Sequence, residues 1–206
     1  MQTLKDRLPP APEFGAVLPI SPSQAVLDFL ATRRSASAGT LRAPAPDEAQ
    51  LRDLLRLATR VPDHGKLNPW RFIILEGEAK ARFAAGLEVI AAQAPDAEKR
   101  KGALFKLKTP PMAVVVVSRH IEGKIPEWEQ RMSSAAVCTN LVIAAQATGF
   151  GANWITDWYA YDEKATALLG LGEGEKVTGF IYLGTPEEAP QERVRPNVEA
   201  LITRWG

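Results

Sequence analysis

The chain has 206 residues, of which 46% are apolar, and its 25 lysines and arginines nearly balance 24 aspartates and glutamates, giving a net charge of +1. This size predicts one globular domain, and the balanced charge argues against a general nucleic-acid-binding protein. The single cysteine, Cys138, excludes a disulfide within the chain, and no run of about 18 apolar residues is present that would span a bilayer. We therefore expect a cytoplasmic protein without nucleic-acid or membrane partners.

The first 22 residues form a segment of their own. They contain five prolines and show no helical or strand periodicity. We expect residues 1–22 to be an arm that lies over the protein surface or over a partner chain. Residues 23–206 then form the single domain, whose C-terminal tail begins at about residue 187 and is rich in proline and glutamate.

Two helices are predicted before the first strand. The first starts within SPSQAVLDFLATRRS at 21–35, with Ser21 as its cap and Pro22 in its first turn. Its apolar face consists of Ala25, Val26, Phe29 and Leu30. The second spans 47–60 and ends before Pro62, because the residue before a proline avoids helical geometry. Its apolar face has the helical spacing i, i+3, i+4, i+7 and consists of Leu51, Leu54, Leu55 and Ala58.

The rest of the chain alternates irregularly between strands and helices. The strand MAVVVVS at 112–118 is apolar on both faces, so we expect it in the centre of a covered sheet. The other predicted elements are a strand at 71–75, helices at 78–93 and 96–108, a long Ala-rich helix at 126–148, a strand at 153–156, a helix from Asp162 to Gly170, a strand at 177–186 and a short C-terminal helix. Helices that outnumber about four short strands predict an α+β fold with a central mixed β-sheet covered by helices.

Two arginines and a serine stand at the end of the first predicted helix. Arg33, Arg34 and Ser35 offer guanidinium donors and a hydroxyl, a combination suited to phosphate oxygens. The simpler interpretation is that cations stabilise the negative C-terminal end of a helix. Neither G-x-G-x-x-G nor G-x-x-x-x-G-K-[ST] occurs in the chain, so a Rossmann or P-loop nucleotide site is disfavoured.

His64 is one of two histidines and lies in TRVPDHGKLNPWRF at 59–72, between a helix and a strand. It can be an acid–base catalyst, a metal ligand, a cofactor contact or a polar turn residue. The other histidine, His120, forms no HxxxH or HExxH arrangement with it, and one cysteine cannot build a thiolate site, so we expect no metal. No G-x-S-x-G elbow is present to supply a nucleophile for a hydrolase base.

Four motifs occur in order along the chain. They are RRS at 33–35, R-x-P-D-H-G-K-L-N-P-W-R-F at 60–72, G-F-G-A-N-W-I-T at 149–156, and G-F-I-Y-L-G-T-P at 179–186 followed by arginines. In this order and spacing the chain resembles the nitroreductase family of FMN-dependent oxidoreductases, most closely its short, YdjA-like branch. The resemblance covers residues 25–190 and leaves the N-terminal arm outside it.

The resemblance implies a nitroreductase-like fold and a domain-swapped homodimer, with an FMN at each end of the interface in a site built from both chains. The FMN contacts that it implies are Arg33, Arg34, Ser35, Arg60, His64, Asn68, Trp154, Ile155, Thr156 and Arg195. Trp154 can equally be a core aromatic residue, and Arg195 can belong to a solvated tail. The family often has Ser and Asn where this chain has Asp63 and Lys66, so the hydrogen bonds of that turn are open.

The resemblance also implies the reaction. FMN takes a hydride from NADH or NADPH and passes it to a nitroaromatic, a quinone or a similar small-molecule acceptor, and no side chain serves as a catalytic acid or base. Lys66 or Arg60 is the candidate cation beside the reduced flavin. The alternatives are another flavin redox or flavin-lyase activity, a flavin-binding protein without turnover, and an α/β module that binds no flavin.

Overall fold

The structure, a computed structural model, describes residues 8–206. Within these residues the helices are α1 (Gln24–Thr32), α2 (Glu48–Ala58), α3 (Gly77–Ala92), α4 (Ala97–Ala103), α5 (Phe105–Lys108), α6 (Glu127–Ala147) and α7 (Glu163–Leu168). The strands are β1 (Leu41–Arg42), β2 (Trp70–Glu76), β3 (Met112–Arg119), β4 (Gly151–Ile155) and β5 (Glu175–Pro186). The α+β class is therefore confirmed, with helices on both faces of one sheet.

The sheet has the strand order β1-β5-β3-β2, and β4 pairs with a further part of β5. All pairings between the described strands are antiparallel, which corrects the predicted mixed sheet. The reason is visible at β2 and β3. Helices α3 to α5 return the chain to the end of the sheet where it left β2, so that Glu76 pairs with Met112 and the two strands run in opposite directions.

Strand β3 lies between β2 and β5 and is buried along nearly its whole length, as its sequence predicts. Successive side chains alternate between the two faces of the sheet. Val114 and Val116 enter the core under α2 and α6, whereas Val115 and Val117 enter the core under α3, α5 and α7. The apolar run MAVVVV thus supplies both cores, and this fixes β3 as the central strand.

Helices α2 and α6 cover the first of these cores. Asp47 caps α2 in a capping box with Gln50, in which each side chain accepts a hydrogen bond from the other residue's backbone N–H. Helix α6 is the longest, and its buried residues are Gln130, Ser133, Ser134, Val137, Cys138, Leu141, Val142, Ala144 and Ala145. Small residues among them allow α6 to lie close to the sheet and to α2.

Three local predictions need correction. Helix α1 begins at Gln24 rather than Pro22, and its N-cap residue is Ser23 rather than Ser21, without a side-chain cap bond. The predicted helix at 96–108 is divided at Leu104 into α4 and α5. Strand β1 was missed, because its two residues owe their extended state to pairing with Thr185 and Pro186, a contact far away in sequence.

The N-terminal arm and the C-terminal tail contribute little to either core. Residues 9–23 form neither helix nor strand, and Arg56 Nη2 donates to the carbonyl O of Pro9 at 3.2 Å. The tail beyond β5 is exposed and contains one 3-10 turn at Val198–Leu201. The first seven residues of the predicted arm lie outside the described residues, and its boundary at residue 22 stays a prediction.

Candidate functional site

The Arg-Arg-Ser turn follows α1 directly and is anchored to the end of α6. Arg33 is the C-cap of α1 and has extended backbone, so the chain turns away from the helix axis at that point. Its Nε donates to Oε1 of Gln146 at 2.7 Å, and its Nη2 donates to Oγ of Ser35 at 3.3 Å. The guanidinium and the hydroxyl that were predicted to bind one ligand are therefore already adjacent.

The C-terminal tail brings a third arginine to this turn. Arg34 Nε donates to the carbonyl O of Gln191 at 2.9 Å, which fixes the tail beside the turn. The carboxylate of Glu192 accepts from Arg195 at 3.0–3.1 Å and lies 3.6 Å from Arg34 Nε. Burial lowers the pKa of Arg33, and the positive charges of Arg195 and Arg34 lower it further. Arg34 and Arg195 thus share one carboxylate while Arg33 lies near both of them, an excess of positive charge that favours an anionic ligand.

Three cavities open at this arginine cluster. One of about 210 Å³ lies between the Arg-Arg-Ser turn and α6 and is lined by Arg33, Ser35, Thr139, Val142, Ile143 and Trp154. A larger one of about 460 Å³ is lined by Arg34, Ser35, Thr40, Asn153 and the 188–191 segment of the tail. A third, of about 170 Å³, is lined by Arg33, Arg34 and Gln146 together with the start of β4. The cavity of about 210 Å³ therefore has Arg33 and Ser35 on the side of the turn, and Thr139 with apolar and aromatic side chains on the side of α6 and β4.

Trp154 of β4 is held in place by an irregularity in β5. The pairing of β5 with β3 shifts by one residue between Val116 and Val117, which leaves Thr178 as the extra residue. Trp154 Nε1 donates to the carbonyl O of Thr178 at 3.3 Å. A Cβ at Gly179 would lie 2.0 Å from Nε1 of Trp154, so the indole occupies space that only a glycine leaves free.

The two residues after Trp154 have different surroundings. Side chains alternate along β4, so Ile155 points to the opposite face of the sheet and packs against the core under α3. Thr156 follows the strand and is exposed. Trp154, which is 38% exposed, is not the fully buried core aromatic of the alternative interpretation. Among these three, Trp154 lines the cavity at the arginine cluster.

The segment from Arg60 to His64 runs along α6 in the opposite direction and is attached to it at three points. Asn140 Nδ2 donates to the carbonyl O of Arg60 at 2.9 Å, and the Ser133 hydroxyl donates to the carbonyl O of Pro62 at 2.6 Å. His64 Nδ1 lies 2.6 Å from Oε2 of Glu129. The three helix residues are spaced by four and seven positions, so they form one stripe on α6.

After His64 the backbone makes a tight turn with left-handed conformations. The φ angle is 76° at Gly65, 56° at Lys66 and 49° at Asn68. Glycine adopts this region freely and asparagine tolerates it, whereas a lysine there is strained. Asp63 Oδ2 accepts from the backbone N–H of Asn68 at 2.8 Å and so closes the turn. The aspartate that departs from the family pattern therefore organises this segment.

The predicted contacts form two groups along α6: the Arg-Arg-Ser turn at its C-terminal end, and the segment from Arg60 to Asn68, which runs from Asn140 towards its N-terminal end. His64 is bonded to Glu129 and Arg33 is bonded to Gln146, which lie 17 positions apart in one helix. At 1.5 Å and 100° per residue these positions are about 25 Å apart along the axis and face directions about 100° apart. A single chain therefore holds His64 and Arg33 at widely separated points of α6.

Sequence reasoning missed two residues that anchor these groups. Gln146 and Glu129 lie on α6 and bond to residues that are 113 and 65 positions away. Neither forms a motif with its neighbours, because a contact at such separation leaves no local pattern. For Gln146 the only signal available was a polar residue in the largely apolar second half of α6, and Glu129, in the polar stretch EWEQR, gave none.

The described part of the chain offers neither a metal cluster nor a membrane helix. Within residues 8–206 no group of three or more His, Cys, Asp or Glu side chains is placed to hold a metal ion. Over the same residues, no helix combines the length and apolar character that crossing a membrane requires.

Residues 30–185 match the model of the nitroreductase family. The chain belongs to the nitroreductase family. The chain is 39% identical over 166 residues to the Escherichia coli K12 protein named "Putative NAD(P)H nitroreductase YdjA". The alignment covers 78% of this chain and 88% of the relative. The predicted family and its YdjA-like branch are therefore confirmed.

Solved structures agree on the fold. A nitroreductase-like family protein from Bacillus cereus has a TM-score of 0.78 and 21% identity, with 91% of this chain and 99% of the other covered. An FMN and NADPH-dependent nitroreductase, a mutant form of NfnB from a Sphigopyxis strain, has a TM-score of 0.71 and 18% identity, with 87% and 98% covered. At these identities the likeness confirms the nitroreductase-like fold.

Proposed function

We propose that this protein is a cytoplasmic, FMN-dependent NAD(P)H oxidoreductase that acts on small-molecule acceptors. The observation that carries the proposal is that Arg33 and Ser35 line a cavity walled by Trp154, while Arg34 and Arg195 lie close enough to Arg33 to lower its pKa. A phosphomonoester with an aromatic ring system matches both parts, because guanidiniums bind phosphate oxygens and an indole packs against a flat ring. FMN has this composition, so the residues present fit the cofactor.

The phosphate end of FMN is held by the Arg-Arg-Ser turn and Arg195 in this proposal. Trp154 flanks the ring system, with Thr156 beyond it and with Ile155 contributing through its backbone only, because its side chain belongs to a core. Bound FMN supplies hydride transfer from NADH or NADPH to the acceptor. The protein binds the cofactor, orients it and adjusts its electrostatic surroundings, and no side chain serves as a catalytic acid or base.

The second group of contacts, Arg60, His64 and Asn68, comes from a partner chain. Along α6, about 25 Å separates Glu129, which holds His64, from Gln146, which holds Arg33 of the same chain. A second copy of the chain, placed so that its turn meets this cluster, completes the site. The proposal is therefore a homodimer with two shared sites, in which each chain contributes a different half to each site.

The surface of the single chain supports such a dimer. No residue of α1 is buried, although Val26, Leu27 and Leu30 are apolar and remain 54%, 60% and 49% exposed. Trp128 and Met132 on α6 are 67% and 45% exposed. A helix that presents apolar side chains to solvent is unusual for a protein that works alone. A second copy that covers α1 and the exposed stripe of α6 buries these side chains.

We propose only the chemical class of the acceptor: nitroaromatics, quinones or similar flat, reducible molecules that bind in the place of the nicotinamide ring after it leaves. Another flavin redox or flavin-lyase reaction is compatible with the same cofactor contacts. A flavin-binding protein without turnover is compatible with the arginine cluster but predicts bound FMN that NADH and NADPH fail to reduce.

The test is a flavin titration followed by anaerobic reduction. The purified protein is titrated with FMN and then mixed with NADH or NADPH while the flavin absorbance is recorded. We expect saturable binding of about one FMN per chain and bleaching by at least one of the two donors. Arg33→Met should weaken FMN binding, whereas Arg52→Met, which removes an exposed arginine paired with Glu48 on α2, should not.

Each failure has a distinct meaning. Absence of saturable FMN binding in the wild-type protein would overturn the proposed function. Bound FMN that neither donor reduces would favour the binding protein over the enzyme. Equal losses in Arg33→Met and Arg52→Met would show that the arginine cluster is not the phosphate site.

A further inference from the structure

Gln146 connects α6 to both arginines of the Arg-Arg-Ser turn. It lies one residue before the last residue of α6, and its side chain is half-buried. Oε1 accepts from Arg33 Nε at 2.7 Å, and Nε2 donates to the carbonyl O of Arg34. The Gln146 amide therefore accepts a hydrogen bond from the Arg33 side chain and donates one to the Arg34 backbone.

This arrangement fixes the direction of the Arg33 guanidinium. A guanidinium carries five N–H donors in a planar fork. Gln146 takes the donor at Nε and Ser35 takes one at Nη2. The remaining donors lie on the two terminal nitrogens, and Arg33 lines one cavity with Ser35 and another with Gln146. A side chain ordered in advance loses less conformational entropy when a ligand binds.

The anchor is also neutral. A glutamate at this position would bond to Arg33 equally well, but its charge would offset the positive charge of the cluster. With an amide as anchor, Glu192 is the carboxylate that the structure places on these arginines. The guanidiniums of Arg33, Arg34 and Arg195 thus keep an excess of positive charge for a ligand.

We propose that Gln146 is a positioning residue that holds Arg33 and the Arg34 backbone in place for the phosphate group of the flavin. The inference rests on the proposed function, since it assumes that the ligand is a phosphorylated flavin. Gln146 contacts the arginines and is not among the residues that line the cavity with Trp154. Its effect must therefore be specific to the phosphate, and this separates it from a general structural role.

The test compares FMN with riboflavin, which has the same ring and ribityl chain but no phosphate. Dissociation constants of both flavins are measured by quenching of flavin fluorescence for the wild-type protein and for Gln146→Leu. We expect wild type to prefer FMN, and Gln146→Leu to bind FMN about tenfold more weakly while its riboflavin affinity stays unchanged. Tenfold is the factor given by losing one hydrogen bond to a charged group.

Gln146→Met is the second variant, because its unbranched side chain fills the same space if leucine disturbs the end of α6. Gln93→Leu is the matched control: Gln93 is the exposed C-cap of α3 and should leave both affinities unchanged. An unchanged FMN affinity in folded Gln146→Leu or Gln146→Met, or equal losses for FMN and riboflavin, would overturn this inference alone. A wild-type protein that binds neither flavin would overturn the proposed function and this inference with it.

Discussion

The ion pair between Arg71 and Glu175 should be the strongest electrostatic contribution to the stability of this fold. Arg71 donates from Nε and Nη2 to the two carboxylate oxygens of Glu175, both at 2.6 Å, and so joins β2 to the start of β5. The backbone N–H of Gly172 donates to the same carboxylate at 2.9 Å. The Glu175 side chain is 14% exposed. These contacts lower the pKa of Glu175 from 4.5 to about 2, mainly through the hydrogen bonds from Arg71.

The magnitude follows from that pKa. At 1.36 kcal/mol per pKa unit, a fall from 4.5 to about 2 corresponds to about 3 kcal/mol of stabilisation. The Arg71 side chain is 32% exposed, so solvent screening reduces the value to about 2 kcal/mol. For a chain of this size, that is a fall of roughly 4–8 °C in Tm for Glu175→Gln at pH 7.

The pH dependence has a definite sign. Because the folded state lowers the pKa of Glu175, the stabilisation is complete above pH 4.5 and is lost as the pH falls towards 2. The difference in unfolding free energy between wild type and Glu175→Gln should therefore shrink as the pH falls through this range. Denaturant unfolding at fixed protein concentration measures it.

A matched control is available on the surface. Glu78 and Arg82 form an i,i+4 pair on α3 whose side chains are 96% and 73% exposed. Glu78→Gln should change the free energy of unfolding by less than about 0.5 kcal/mol at any pH. If Glu175→Gln costs no more than Glu78→Gln, or if its effect does not shrink on acidification, the electrostatic reasoning is refuted.

Three further predictions concern the candidate site. Lys66→Gly relieves a left-handed φ of 56° and should stabilise the fold by about 0.5–1 kcal/mol in denaturant unfolding. The same change removes a cation and should lower the reduction potential of bound FMN, and an unchanged potential would show that Lys66 does not belong to the site. Glu192→Gln removes the carboxylate that faces Arg34 and Arg195 and should strengthen FMN binding about threefold in a fluorescence titration; equal or weaker binding contradicts this. Gly179→Ala places a Cβ 2.0 Å from Nε1 of Trp154 and should therefore cost about 1–3 kcal/mol of stability and weaken FMN binding. A variant with wild-type stability and wild-type FMN affinity would contradict the described position of the indole.

The fold could be predicted where the sequence has a strong local period. The apolar run of β3 and the long Ala-rich stretch of α6 determined both elements and the burial of β3 between its neighbours. Strand β1 could not be predicted, since two residues carry no period and their extended state comes from Thr185 and Pro186. The direction of strand pairing also depended on the path of α3 to α5, which no local pattern records.

In the candidate site, too, residues in local motifs could be predicted and residues that act through distant contacts could not. The motifs identified Arg33, Ser35 and Trp154, which lie around one cavity in the structure. They did not identify Gln146 or Glu129, because each acts across more than 60 positions of the chain. The assignment of the flavin contacts as a whole stays a prediction until a ligand is bound.

The central claim is that each site is built from two chains, and mixing two inactive variants tests it most directly. Arg33→Ala damages the half around the arginine cluster, and His64→Ala damages the half around the turn. In a mixed dimer one site carries both substitutions and the other carries neither. Random assembly at equal amounts makes half of the dimers mixed, so about a quarter of the wild-type sites are restored.

The measurement is FMN-dependent oxidation of NADH or NADPH by the co-refolded variants, with each variant alone as the baseline. A mixture of Arg33→Ala with Arg195→Ala is the control, since both substitutions damage the same half and every mixed dimer then has two damaged sites. Recovery to about a quarter of wild-type activity in the first mixture and none in the control is the predicted result. An Arg33→Ala and His64→Ala mixture that stays at the baseline would contradict the shared site.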